Sequence, residues 1–381
     1  MARVKLIVGK EDIGPEHHAL FDELAALRGR ISGPSTVVLH SPGLARPWND
    51  IGEFLHKDSL VEARHAELAV CVTARERDCG YVWNAHVPLA RKAGVSEDAI
   101  AAARSGGSAN GLAEPERDVV GYVRQLLEGN RVEDATFERL LKAHGPRWMV
   151  ELTVWIGRYA ALSGILNAFD VIHASPAETL PPMAHAVARP VTVRPPLAAP
   201  RVTPIARREQ VGEDIRVIYD AVAEGRGSVR GPFTMLMYSP VLCRRHLAVG
   251  TYLRFNSRVK GTLLELAIAS TAREKDCPYV WAAHVPTARK AGVTDAALAV
   301  VRDHGDLADL PGPERDVVDF VRQLLRTGHV AKPLFDRLRE RHGVPWLVEL
   351  TCLIGHYGIV TAILNAFEVA PAAGAEALPL P

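Results

Sequence analysis

The sequence predicts an all-α protein made of two tandem copies of one small helical bundle, and three observations carry that prediction. Residues 67–95, ELAVCVTARERDCGYVWNAHVPLARKAGV, return at 265–293 as ELAIASTAREKDCPYVWAAHVPTARKAGV with 22 of 29 positions identical. The offset of 198 residues persists without a gap, carrying Gly33-Pro34 onto Gly231-Pro232, Ser41-Pro42 onto Ser239-Pro240 and Asn167-Ala168-Phe169 onto Asn365-Ala366-Phe367. A period this long gives each copy enough residues to close its own core, so it marks a duplicated domain rather than a solenoid array. Apolar residues recur at helical spacing throughout, and neither strand alternation nor a βαβ pattern interrupts them.

The elements follow in order within each copy. PEHHALFDELAALRGR keeps Leu20, Phe21, Leu24 and Leu27 on one face, and its counterpart EDIRVIYDAVAEGRG does the same with Ile215, Val217, Ile218 and Val222. A Gly-Pro break and a short apolar helix, STVVLHSP or FTMLMYSP, come next. In the repeated core segment Asp78 and Asp276 are expected as N-caps, with Pro278 in the first turn, Gly94 and Gly292 as helix stops, and Ser96 and Thr294 capping a further helix. Pro88 and Pro286 fall inside the pattern, where a kink beside the following turn is expected. Two amphipathic helices then end at FERLLKAHG and FDRLRERHG, where His144 and His342 read as capping cations. The last helix of each copy is apolar on most faces and reads as buried. The expected layout is a first unit over 1–175, a Pro-rich tether over 176–208 with eight prolines, a second unit over 209–370, and a loose tail over 371–381.

Composition narrows the function. With 45 basic and 44 acidic residues the net charge is +1, which removes any electrostatic argument for a nucleic-acid partner. The N-terminal apolar run is four residues long, too short for a signal-peptide core, and Arg158 interrupts the most apolar later stretch, so no membrane span is expected and cytoplasmic residence is the default. Of five cysteines only Cys79 and Cys277 recur across the repeat; Cys71, Cys243 and Cys352 align with Ala269, Ala45 and Val154, which is no disulfide framework.

The candidate chemistry lies in the repeated segment. Glu67 precedes Cys79 by twelve residues and His86 follows it by seven, and Glu265, Cys277 and His284 repeat the spacing. Cys79, Trp83 and His86 are expected on one helix face, with the Glu reaching the same space from the preceding helix. A thiol at a helix N-terminus is expected to favour its thiolate, though a cysteine is equally a small core residue. His86 and His284 suit general acid–base work near neutral pH, or are buried histidines satisfied by the Glu, as His86 by Glu67, or by a carbonyl. A carboxylate in an apolar stretch is costly unless paired, and Arg75 and Arg273, farther along the same helix, are expected as partners, either as structural ion pairs or as holders of a substrate's carboxylate. Tyr81, Trp83, Tyr279 and Trp281 line the pocket or pack in the core. One His, one Cys and one Glu per unit fall short of a zinc ligand set, so no metal is expected.

Glu67, the run Cys79-Gly-Tyr-Val-Trp-Asn-Ala-His86 and the later YAALSGILNAF resemble the carboxymuconolactone decarboxylase family, within the alkylhydroperoxidase D-like superfamily. The resemblance covers most of both units. It implies an all-helical fold of that type, assembly through helical interfaces into a homo-oligomer (a dimer or trimer of two-unit chains), and a small-molecule substrate with no cofactor. In the peroxidase type a Cys-x-x-Cys pair precedes the histidine; here the second cysteine is replaced by Val82 and Val280, so no local disulfide forms. Three functions follow as expectations: decarboxylase-like proton transfer on a small organic acid or lactone, single-thiol peroxidase activity at Cys79 and Cys277, or a non-catalytic assembly role.

Overall fold

A computed structural model describes residues 2–173, 177–181 and 199–379, and no strand occurs among them. The first unit comprises α1 (His18–Arg28), α2 (Ser35–Val38), α3 (Pro42–Lys57), α4 (Ala63–Glu76), α5 (Gly80–Lys92), α6 (Glu97–Ser105), α7 (Glu114–Glu128) and α8 (Asp134–Ala168). The second repeats it as α9 (Glu213–Arg226), α10 (Pro232–Leu236), α11 (Pro240–Thr251), α12 (Gly261–Glu274), α13 (Pro278–Lys290), α14 (Asp295–Arg302), α15 (Gly312–Thr327), α16 (Lys332–His342) and α17 (Val344–Ala366). The protein is therefore all-α, as the sequence predicts. Where α16 and α17 are parted by Gly343 (φ 84°, ψ 166°), α8 carries the same break at Gly145 (φ 80°, ψ 171°). That backbone region is open to glycine and strained for any other residue.

Each unit is built around its central helix. α4 packs against α5, α6, α7 and α8, and α12 against α13, α14, α15 and α17, so both are buried over most of their length. The turn after α4 differs from the expected capping. Asp78 and Asp276 adopt left-handed φ values of 47° and 44°, and Cys79 and Cys277 take the N-cap positions instead. The amide N–H of Cys79 reaches back to the carbonyl of Ala74 at 2.8 Å, a closure that ends one helix and starts the next within three residues. Asn167 and Asn365 donate to the carbonyls of Arg77 and Lys275 at 2.9 and 2.7 Å and so brace this hairpin from the long apolar helix. α5 and α13 run on through Pro88 and Pro286, and Ser96 and Thr294 cap α6 and α14 as expected.

The two units clasp each other through α8 and α17. A Cβ on Gly157 would stand 2.9 Å from Ile359, and one on Gly355 would stand 2.6 Å from Ala161, so glycine is what lets the helices touch. Both helices are long and apolar enough to cross a membrane by length and composition, contrary to the expectation of no such segment, but 89% of each apolar window is buried inside the protein.

The segments expected as tether and tail are partly structural. Arg201 repeats for the second unit what Arg3 does for the first: their backbone N–H groups donate to Phe367 and Phe169, and their guanidinium groups to Val132 and Val330 of the opposite unit. The expected tether over 182–198 lies outside the described residues. The tail is pinned rather than loose, with Glu376 paired to Arg289 and Leu378 buried, just as Glu178 pairs with Arg91.

Candidate active site

The hairpin of α4 and α5 sets Glu67 beside His86, with Oε2 2.7 Å from Nδ1, and α12 and α13 set Glu265 beside His284 at 2.8 Å. Burial explains why these groups pair, since a carboxylate on a core helix needs a donor in place of water. Glu67 and Glu265 are 8% and 4% exposed. A carboxylate on Nδ1 holds the N–H there and leaves Nε2 with its lone pair available. In the second unit Nε2 meets the hydroxyl of Tyr357 at 3.2 Å, and burial pushes that phenol's pKa up, so it stays protonated and donates. In the first unit the equivalent Tyr159 lies edge-on to His86, with 4.9 Å between ring centroids, while its hydroxyl meets Nε2 of His56 at 3.1 Å.

His284 and Tyr357 open onto a cavity of about 570 Å³. α13 contributes Tyr279, Val280, Ala282, Ala283, His284 and Thr287, which gather on one side of the helix. Cys277, Trp281, Val285 and Ala288 occupy the face turned into the core. The expected grouping of sulfur and imidazole about one hollow therefore does not form: of the pair, only His284 lines the cavity. The position of the missing second cysteine, Val280, does line it.

The expected thiolate is likewise overturned. Cys79 is fully buried, and burial pushes its thiol up to about 11 despite hydrogen bonds from Val82, Ser163 and Tyr81. Trp83 and Trp281 are core residues, whereas Tyr81 and Tyr279 are half-buried, with their rings against Gly33 and Gly231. Arg75 and Arg273 do not pair with the buried carboxylates. They bind the carbonyls of Pro181 and Pro379 and lie beside Asp78 and Asp276, fastening the pinned segments that follow each unit. His144 and His342, expected as charged caps, stack on Trp148 and Trp346 at 4.0 Å, and burial lowers the pKa of both. Among the described residues no three His, Cys, Asp or Glu side chains gather as a metal site.

Sequence reasoning missed Tyr159 and Tyr357, although their identity across the repeat was a usable signal. It also missed the far end of the cavity, which is lined by Arg226, His246, Arg254 and His356. His246 and His356 stack with centroids 4.3 Å apart, and burial with the nearby Arg226 pushes His246 down to about 3. Three of the four differ between the copies, where Trp48, His56 and Arg158 stand in place of His246, Arg254 and His356, so a search for repeated residues passes over them; only Arg226 recurs, as Arg28.

Fold and dyads together define a tandem all-α protein in which one helical unit, with one buried Glu–His pair, occurs twice. Residues 42–125, from α3 into α7 of the first unit, match the model of the Carboxymuconolactone decarboxylase family. A domain of this family goes with decarboxylase or alkylhydroperoxidase D-like activity in general. The second unit repeats the matched stretch at an offset of 198 residues. No curated protein matches the chain at a significant level.

Proposed function

We propose that this protein is a cofactor-free enzyme of the carboxymuconolactone decarboxylase type that moves protons on a small organic acid or lactone. The observation that carries the reading is the Glu–His pair held at 2.7 and 2.8 Å in the two units, with His284 and the Tyr357 that meets its Nε2 both lining a cavity. In a proton transfer, Nε2 takes a proton from a carbon next to a carbonyl, the C–H electron pair moves into an enolate, and the imidazolium returns the proton to carbon. In a decarboxylation the C–C pair enters the enolate as carbon dioxide leaves, and a histidine protonated at Nε2 by solvent beforehand gives that proton to carbon. Glu67 and Glu265 are positioning residues that fix the tautomer and stabilise the imidazolium, while the Tyr357 hydroxyl, released from Nε2 once that nitrogen carries a proton, donates to developing negative charge.

The single-thiol peroxidase reading finds no support in a fully buried Cys79 whose thiol is pushed up to about 11. Incubating the chain in deuterium oxide with carboxylated lactones and 3-oxo acids, and following carbon-bound deuterium and released carbon dioxide, tests the proposal. Exchange or decarboxylation that disappears in His86→Gln with His284→Gln is the expected result; turnover that survives both substitutions contradicts it.

A further inference from the structure

We propose that the cavity of the second unit is a two-ended acid site: a small organic acid sets its carboxylate among Arg226, Arg254, His246 and His356 while its reacting carbon lies at Tyr357 and His284. The inference rests on the proton-transfer reading for the second end alone. The anion end stands on its own observations.

The first is a set of buried polar groups without partners. His246 is 1% exposed, and neither of its ring nitrogens has a hydrogen-bond partner; His356 is 5% exposed, and its Nδ1 has none. Buried polar groups in folded proteins are almost always paired, so two stacked imidazoles left open on a cavity wall mark a place where something else completes them. The second is charge. Arg226 and Arg254 line the same cavity, their buried Nε atoms lack partners, no ion pair is formed by either among the described residues, and no acidic side chain lines the wall. Burial and the neighbouring Arg254 lower the pKa of Arg226. The only compensation among the described residues is from ring faces, Phe233 and Phe255 under Arg226 and Phe255 under Arg254; cations with no acid beside them favour an anion, and the guanidinium fork suits a carboxylate.

The third is convergence. A Cβ placed on Gly250 would stand 2.9 Å from both Nη2 of Arg226 and Nε2 of His356, so these two donors meet over a single bare spot of α11. The first unit supplies the contrast. Arg158, in the place of His356, lies over the ring of Trp48, in the place of His246, at 4.7 Å, and the hollow they border measures about 20 Å³. His56, in the place of Arg254, meets the hydroxyl of Tyr159. The Glu–His dyad is common to both units, whereas the anion end belongs to the second.

Isothermal titration calorimetry of the full chain with glutarate and adipate, and with their uncharged diamides, tests the assignment. A dicarboxylate is expected to bind at a single site per chain, the diamide at least about tenfold more weakly, and Arg226→Met with Arg254→Met to lose at least about tenfold in affinity. Glu265→Gln, which disables proton transfer, keeps the affinity, as does Arg158→Met in the first unit. Should the double variant not fold, histidine side-chain proton–nitrogen spectra of the unaltered chain read the same site, with His246 and His356 signals moving saturably as acid is added. Equal binding of acid and diamide, acid affinity that outlasts both arginines, or histidine signals unmoved at saturation overturns the assignment. An acid that binds at this end but undergoes neither exchange nor decarboxylation upholds the anion site and removes the proton-transfer reading instead.

Discussion

A buried imidazole becomes a base when one of its nitrogens is held by something stronger than a passing water. Glu265 does this for His284, and Glu67 for His86. Glu67→Gln with Glu265→Gln therefore keeps the fold but allows the other tautomer, and kcat is expected to fall by about a hundredfold with KM little changed, measured on whichever acid or lactone the chain turns over. The cysteines stand at the opposite pole, buried and with a thiol pushed up to about 11 at Cys79. Cys79→Ala with Cys277→Ala is expected to leave kcat within about twofold, and the native thiols to react with an aromatic disulfide reagent only as the protein unfolds. Rapid labelling of the folded chain at Cys79 would return the peroxidase reading to consideration.

Among the elements, the α4–α5 and α12–α13 hairpins were legible because both copies spell them almost identically, and the buried Glu and His within them follow from that spelling. The pairing of Glu67 with His86 is one of the readings open for the histidine, but Arg75 is expected as the partner of the Glu, and it is not. Arg75 stands eight residues after Glu67, about 12 Å along the helix axis, too far to share its end, and it binds a carbonyl of the segment that follows the unit. The capping was misread for a similar reason: an aspartate before a helix suits an N-cap, yet the tight closure from Ala74 to Cys79 needs a left-handed residue there, and Asp78 supplies it. The arginine–histidine end of the cavity was invisible because His246, Arg254 and His356 have no like residue in the first copy, and Arg226, which recurs as Arg28, says little alone.

One ionic element carries a pH prediction. Burial works against the charge on Glu274, but hydrogen bonds from His304 and Arg326 outweigh it and hold the carboxyl down at about 2. A folded-state value below the unfolded one contributes stability above pH ~4.5, on the order of 3 kcal/mol, that is lost as the pH falls toward 2. Urea midpoints across that window are expected to drop less steeply in Glu274→Gln. In the first unit Glu128 replaces Arg326; burial and Glu76 beside it push its carboxyl up to about 7, so its contribution has the opposite sign and is lost as the pH rises from ~4.5 through 7. Glu128 remains partly exposed, which screens the effect. Glu128→Arg is accordingly expected to raise the melting temperature at pH 8 by a few degrees at most.

At the scale of the whole molecule the duplication is an exchange of contacts. Ser41 donates to Glu349 and Ser239 to Glu151, each at 2.7 Å, so a fully buried carboxylate of either unit is completed by the other. Gly157 and Gly355 admit Ile359 and Ala161 in the same reciprocal way. Gly355→Leu is expected to cost about 1–3 kcal/mol in urea unfolding, because the new side chain has no room against Ala161. The shared clasp holds two hairpins with the same dyad, and that dyad is what the functional reading depends on. Proton–nitrogen correlation spectra of the histidine side chains test it most directly. Two imidazoles protonated at the nitrogen facing the carboxylate, with strongly downfield protons that vanish in Glu67→Gln and Glu265→Gln, are the result expected here. Spectra in which His86 and His284 carry the proton on the outer nitrogen, and ignore the loss of both glutamates, would contradict it.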